Sequence, residues 1–410
     1  MQRGTNLGRL GGYNQAVVLE SIRRASDGVS RVELAASTGL SPQTISNVVR
    51  RLLDGQWVRE AGTVISGPGK PRTLVELVPD RLVSVGIHLD PSVLTYVIVD
   101  LRGNILQRHR APLPGTASPQ ETLDAMVAEV NALIAASGYQ RENVVGVGIA
   151  APGPVDVDGG RLVRPPLLTG WDEVALVEPL REALGLEVIL AKDTVAAATA
   201  EVWVGAGQTL ADFVSVYVGT GVGAGLVLGG SVLAGQTGNA GELGHVLSGS
   251  VVPEVCAVCG RHDCLAVNLN FDTIVRRGRE AGIDVPDVTG RPLSEHIAAA
   301  TQVMTAAAHG NVAASEVARE LAAHVSLAVG HIASLLDVDQ VVICGPLWEV
   351  LRGFAEDTVT EHVNQNFRGT LPRDVAVTSS ELGGWIAAIG GACVVLEDLL
   401  APKTSGLLLR

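Results

Sequence analysis

Residues 213–241 carry no ionisable side chain except Tyr217, while glycine, serine and threonine recur through them. A run that uncharged must be shielded from water. One that rich in glycine is a poor helix, so it is read as buried strands joined by tight turns and not as a membrane span. Buried strands need covering layers, and the flanking chain can supply them. Strand-like runs at 83–89, 96–99, 144–149, 188–190 and 341–344 alternate with amphipathic, often alanine-rich stretches at 119–137, 174–184, 193–204, 312–337 and 384–400. Such alternation specifies an α/β fold. The strand-turn-strand opening at 83 is loosely echoed at 213, as two related lobes would require. With 47% hydrophobic and 18% charged residues, the composition is ample for buried cores and excludes disorder throughout.

Charge divides the chain. Residues 1–75 hold ten Lys/Arg against five Asp/Glu, whereas the whole chain has a net charge of −13. A basic head on an acidic body restricts any polyanionic partner to the head. The head is also punctuated for short helices. Residues 14–26 have helical composition. Ser30 with Glu33 forms a capping-box pattern, and Thr38-Gly39 a stop signal. Ser41-Pro42 then opens a helix whose Ile45, Val48, Val49 and Leu52 define one apolar face. Ser41, Gln43, Thr44, Ser46 and Asn47 give that helix a polar tip, with Arg50 and Arg51 one turn on. Two helices joined by a glycine turn, the second polar at its start, suit reading of a DNA major groove. A hairpin follows over 57–77, and its tip, GPGKPRT at 67–73, offers Lys70 and Arg72 to phosphate or a minor groove. A helical protein-interaction module with a basic loop is the alternative.

Three of the five cysteines, Cys256, Cys259 and Cys264, crowd downstream of His245. Thiolates with an imidazole are the ligand types of tetrahedral zinc, and four ligands with no open position make a structural site. His262 competes for the fourth place. Cys344 and Cys393 lie in apolar runs and read as core. The odd cysteine count and the absence of an apolar signal segment in MQRGTNLGRLGGYN point to a reducing cytoplasm, with no membrane association. The loop GTGVGAG at 219–225 follows a strand and is open to two readings, a phosphate cradle or an ordinary hairpin turn.

From end to end the sequence resembles the regulator branch of the ROK family (repressor, open reading frame, kinase). The resemblance rests on AGELGH at 240–245 leading into the cysteine cluster, APGPVD at 151–156, GW at 170–171, KDTVAAATAE beginning at Lys192, GTGVGAG, and SRVELAASTGLSPQTIS at 30–46. It implies a winged helix-turn-helix over 1–78 followed by an actin- or hexokinase-like (ribonuclease H-like) body. The first lobe would span 81–198 plus 382–402, with Pro79-Asp80 as hinge. The second would span 199–381 and carry the zinc loop and a dimerisation surface. The resemblance further implies that Asp193, Glu242 and His245 hold sugar hydroxyls, with Gly153 and Lys192 beside them, and that His245 joins the sugar cleft to the zinc. A homodimer, or a dimer of dimers, would match a palindromic operator.

The departures from the family pattern are informative. Kinase members carry an acidic DxGGT-like turn where this chain has Gly86-Ile87-His88-Leu89-Asp90-Pro91-Ser92. The turn glycines are absent and a proline stiffens it, which argues against ATP chemistry. Leu167 and Ala266 stand where the family has a sugar-contacting asparagine and a glutamate. Lys192, one of only three lysines, replaces an asparagine and raises the idea of an anionic ligand such as a sugar phosphate. The first two cysteines are one residue further apart than usual. Three functions follow in order: a sugar-responsive regulator of carbohydrate genes, a repressor in the main reading; an ATP-dependent sugar kinase with an added DNA-binding head; and a sugar-binding scaffold that no longer touches DNA.

Overall fold

The computed structural model describes residues 12–25, 27–64, 71–113 and 117–400. The head comprises α1 (Tyr13–Arg24), β1 (Val29–Ser30), α2 (Arg31–Thr38), α3 (Pro42–Asp54), β2 (Val58–Val64) and β3 (Arg72–Leu77). The capping signals act as the sequence predicts. Ser30 Oγ accepts from the Glu33 amide while Glu33 returns a carboxylate to the Ser30 amide at 2.8 Å. Gly39 ends α2 at φ 68°, a conformation that costs a side-chain-bearing residue energy. Ser41 caps α3 through the Thr44 amide. Ile45, Val48, Val49 and Leu52 are buried against Val18, Leu19 and Ile22 of α1. A three-stranded sheet in the order β1-β3-β2 forms the wing.

The body contains β4 (Val83–Leu89), β5 (Val93–Asp100), β6 (Ile105–Pro112), α4 (Pro119–Ser137), β7 (Val144–Ala151), the short ribbon β8 (Val155–Asp156) and β9 (Arg161–Leu162), α5 (Val177–Leu184), β10 (Val188–Lys192) and α6 (Asp193–Val204). It continues with β11 (Phe213–Val218), β12 (Val222–Leu228), β13 (Ser231–Val232), α7 (Leu265–Asn268), α8 (Phe271–Glu280), α9 (Leu293–Ala308), α10 (Val312–Leu336), β14 (Gln340–Cys344), α11 (Pro346–Asn366), β15 (Ala376–Ser379) and α12 (Ile386–Leu400). Two five-stranded sheets result, β6-β5-β4-β7-β10 and β13-β12-β11-β14-β15. Each is an antiparallel three-strand meander followed by two parallel strands. The weak sequence echo between 83 and 213 is therefore a repeat of one topology.

The last described helix, α12, returns to the first sheet. A Cβ on Gly86 of β4 would lie 1.9 Å from the Ala388 carbonyl oxygen, and one on Gly390 1.8 Å from that of Ala196. Glycine alone permits α12 to lie at backbone distance from both β4 and α6. By length and composition α12 with its preceding turn could cross a bilayer, but it is largely buried between these elements. Pro79–Arg81, expected as a hinge, is a 3-10 turn held by the Leu101 amide on the Pro79 carbonyl. Head and body share one apolar cluster there, with Val75 and Leu77 packed alongside Leu82, Val97, Val99 and Leu101. Helix α5 begins at Val177, not at 174, and β6, α8, α9, α11 and β15 form where the sequence signalled nothing.

Candidate functional site

The carboxyl ends of β4, β10 and β11 converge on a cavity of about 440 Å³, the place where open α/β sheets bind ligands. Its lining includes the predicted Gly153, Lys192, Asp193, Glu242 and His245. Asp193 is the first residue of α6, and its Oδ1 accepts from the Thr194 amide at 2.7 Å. Burial pushes its carboxyl up to about 6, against the opposing Lys192 charge and the Thr194 amide, with Glu242 and Asp90 adding to the rise. Lys192 is buried. Its ammonium pairs with the Glu242 carboxylate and lies 3.4 Å from the Ala240 carbonyl. Gly153 packs close to this pair: a Cβ there would stand 3.2 Å from Lys192 Cε and 3.3 Å from Glu242 Oε1, so those side chains would have to give way slightly.

Sequence reasoning did not select His88, Asp90, Thr194 or Thr220 as site residues, yet all four line the cavity. Thr220 Oγ1 donates to Asp90 Oδ2 at 2.9 Å, while Asp90 Oδ1 takes the Ser92 amide and hydroxyl. The stiffened turn of the first sheet is thereby tied to the glycine loop of the second, and both oxygens of Asp90 are engaged. Burial holds the His88 imidazole below its ordinary pKa despite nearby Asp90, and pushes the Tyr217 phenol well above its own. The Thr194 hydroxyl is buried in the cavity wall with no protein partner among the described residues. Asn239, also missed, accepts from the Val155 amide at 2.8 Å and donates to the Val155 carbonyl at 2.7 Å. It thus fastens the APGPVD loop to the GELGH loop. These partners lie far apart in the chain, so no local spacing announces them.

His245 joins the cavity to the cysteine loop. Its Nε2 faces Glu242 Oε2 at 3.8 Å, and its Nδ1 lies 3.8 Å from Cys256 Sγ. One ligand atom from each of His245, Cys256, Cys259 and Cys264 falls within 4.8 Å of the others. With metal–sulfur bonds of about 2.3 Å, tetrahedral ligands sit roughly 3.8 Å apart, so the set fits a closed metal site. His262 instead directs Nδ1 at the Val252 carbonyl and stands outside the group. Burial and the adjacent thiols push Cys264 up to about 12. For Cys256 burial is outweighed by the Cys259 and Val258 amides, which hold it below its ordinary value. Cys344 and Cys393 are buried core residues, as expected.

On the head, Ser41, Gln43, Ser46, Asn47, Arg50 and Arg51 are exposed and Thr44 is half-buried. Asn47 Oδ1 accepts from Gln43 at 3.3 Å and from Arg50 at 3.2 Å, which arrays these side chains on one face. Arg72 lies in β3, whereas Lys70 falls outside the described residues. Between head and cavity runs α6. It starts at Asp193 and has the buried Trp203 as its penultimate residue, over whose ring the Arg23 guanidinium of α1 stacks at 3.9 Å. Arg23 is itself held by Glu20 at 2.7 Å.

A profile described as the ROK family matches residues 84–398. The DNA-binding transcriptional dual regulator NagC of Escherichia coli is 27% identical over 398 residues, 93% of this chain and 91% of that protein. A glucokinase from Halalkalibacterium halodurans is 29% identical over 64% of this chain and 80% of its own. Among solved structures, a ROK family transcriptional regulator homologous to the E. coli Mlc protein superposes with a TM-score of 0.74 at 24% identity, covering 95% of this chain and 96% of that one. A ROK glucokinase from Streptomyces griseus, in complex with glucose and AMPPNP, gives 0.62 at 25% identity over 76% and 98%. The kinase-like body is thus common to both groups, while the regulator also covers the head.

Proposed function

Since this chain belongs to the ROK family, we propose that it is a sugar-responsive transcriptional repressor of carbohydrate genes. In this reading residues 1–78 bind operator DNA, and a two-lobed body, with α12 returning to the first lobe, binds the effector. Helix α3 enters the major groove, Gln43, Thr44, Ser46 and Asn47 face the bases, and Arg50, Arg51 and Arg72 hold phosphates. Asp193, Glu242 and His245 bind sugar hydroxyls, which both donate and accept hydrogen bonds. The similarity to NagC over nearly the whole chain supports this assignment. Zinc is the metal that the His/Cys₃ set suits. It would hold the cysteine loop against the cavity through His245, and no chemical step is assigned to it. A two-fold dimer on a palindromic operator in the cytoplasm completes the reading.

The observation that carries it is α6. One helix has its first residue in the cavity and its penultimate residue under the head, so occupancy at Asp193 has a rigid route to Arg23. A ligand acts along that route only by preferring one arrangement of head and body to the other. The kinase alternative is less well supported, because Asp90 has both oxygens occupied by Ser92 and Thr220 in place of a free, glycine-flanked turn. Mobility shifts of native intergenic duplexes, run with a sugar panel, test the proposal. It expects a specific shift that one sugar weakens. Failure to shift any such duplex, or brisk ATP-dependent phosphorylation of a hexose, would overturn it.

A further inference from the structure

We infer that the cavity takes an uncharged sugar bearing an apolar substituent, an acyl group or an aglycone, in preference to a free hexose or a sugar phosphate. This rests on the reading of the cavity as the sugar-effector site. Two observations carry it independently.

The first concerns charge. Each cationic side chain in the lining is already engaged. Lys192 is paired with Glu242, Arg291 Nη1 with Glu295 at 2.8 Å, and His296 with Asp272 and the Arg291 carbonyl. Burial disfavours the charged form of His88, and His245 faces Cys256. Asp90, Asp193 and Glu242 outnumber the one lysine among them. A phosphate entering here would meet these carboxylates, and it could reach the buried Lys192 ammonium only by displacing Glu242.

The second concerns surface. The polar groups come from the strand ends and the GELGH loop. The loops and helix starts that complete the cavity contribute Leu167, Val255, Val258, Leu269, Phe271 and Leu293. Of these, Leu167, Val255 and Val258 are 44, 57 and 49% exposed. A pocket for a bare sugar has little use for exposed aliphatic side chains, since a hexose presents hydroxyls on most of its edge. A ligand with one hydroxylated and one apolar part would satisfy the carboxylates and cover these three residues together.

The test is calorimetric titration of the full chain with glucose, galactose, mannose and xylose, each offered free and as phenyl glycoside. N-acetylhexosamines and hexose 6-phosphates are included. For the sugar that fits, the phenyl or N-acetyl form is expected to bind about tenfold or more tightly than the free sugar, and the phosphate more weakly than either. The double variant Leu167→Asn/Val258→Ser, with its fold checked by thermal melting, is expected to bring that preference ratio towards one. A free sugar or 6-phosphate binding as tightly as both apolar derivatives would overturn the inference while leaving the sugar-effector reading standing. If the protein shifts its operator but binds no sugar at all, the sugar-effector reading fails and takes the inference with it.

Discussion

Asp193, proposed above to hold a sugar hydroxyl, departs from what stability alone would choose. In the folded chain its carboxyl keeps its proton to about pH 6, whereas an unfolded aspartate ionises near 4. Between these values the folded state binds more protons. Its stability is therefore highest below the window, falls as pH rises through it, and stays reduced above. At 1.36 kcal/mol per pKa unit the cost at neutral pH is on the order of 3 kcal/mol. Asp193→Asn is expected to raise the urea midpoint at pH 7.5, to flatten its fall between pH 4 and 6, and to abolish sugar binding. An unaltered pH profile would contradict this account of the site. The metal cluster is open to the same kind of substitution. Cys259→Ser is expected to lose bound zinc in a metal-content assay and to lower the melting temperature, and a chelator is expected to lower it in the parent. The cysteine spacing made this cluster legible in the sequence, and His245 over His262 came from the family resemblance. Asp90, Thr194, Thr220 and Asn239 were not legible, because each matters only through a partner brought close by the fold.

Elements with their own start and stop chemistry were readable nearly to the residue. Helix α2 has its capping box and Gly39, α3 its Ser-Pro start, and α6 an alanine-rich run flanked by Lys192 and Gly205. Elements that lean on tertiary packing were not. Helix α11 spans 21 residues without a capping side chain at its start, and β6 is an edge strand with mostly exposed residues and no apolar alternation to reveal it. The packing of α12 on α6 leaves no space for a side chain at Gly390. Gly390→Ala forces a methyl against the Ala196 carbonyl and is expected to cost roughly 1–3 kcal/mol, read as a lower urea midpoint. On α3, Arg50→Ala is expected to weaken all duplexes about equally and to reduce the salt slope by roughly one. Gln43→Ala is expected to relax base preference at one operator position at a cost of about 1–3 kcal/mol. Equal effects of both variants on specific and random DNA would remove α3 from the reading role.

At the scale of the whole molecule, the repeated five-stranded topology explains why a cavity exists where it does, since the strand ends of both sheets meet there. The head was legible as a separate basic unit, but its attachment was not. What appeared in the sequence as a hinge is a packed turn, and the apolar cluster runs through it into the body. A head fastened in this way moves with the elements it touches, and Trp203 is the point where α6 meets it. Trp203→Ala is expected to leave sugar affinity within a few-fold of the parent while diminishing the effect of sugar on operator binding. Equal sugar responses in parent and variant would exclude this contact as the route.

In the proposed function sugar and operator are thermodynamically coupled through one chain. The direct measurement is operator affinity by fluorescence anisotropy across a range of the tightest-binding sugar, paired with sugar affinity by calorimetry with and without operator. The predicted result is that saturating sugar weakens operator binding and that operator weakens sugar binding by the same factor, of about 5–150-fold. Saturation of the cavity with no change in operator affinity would contradict it.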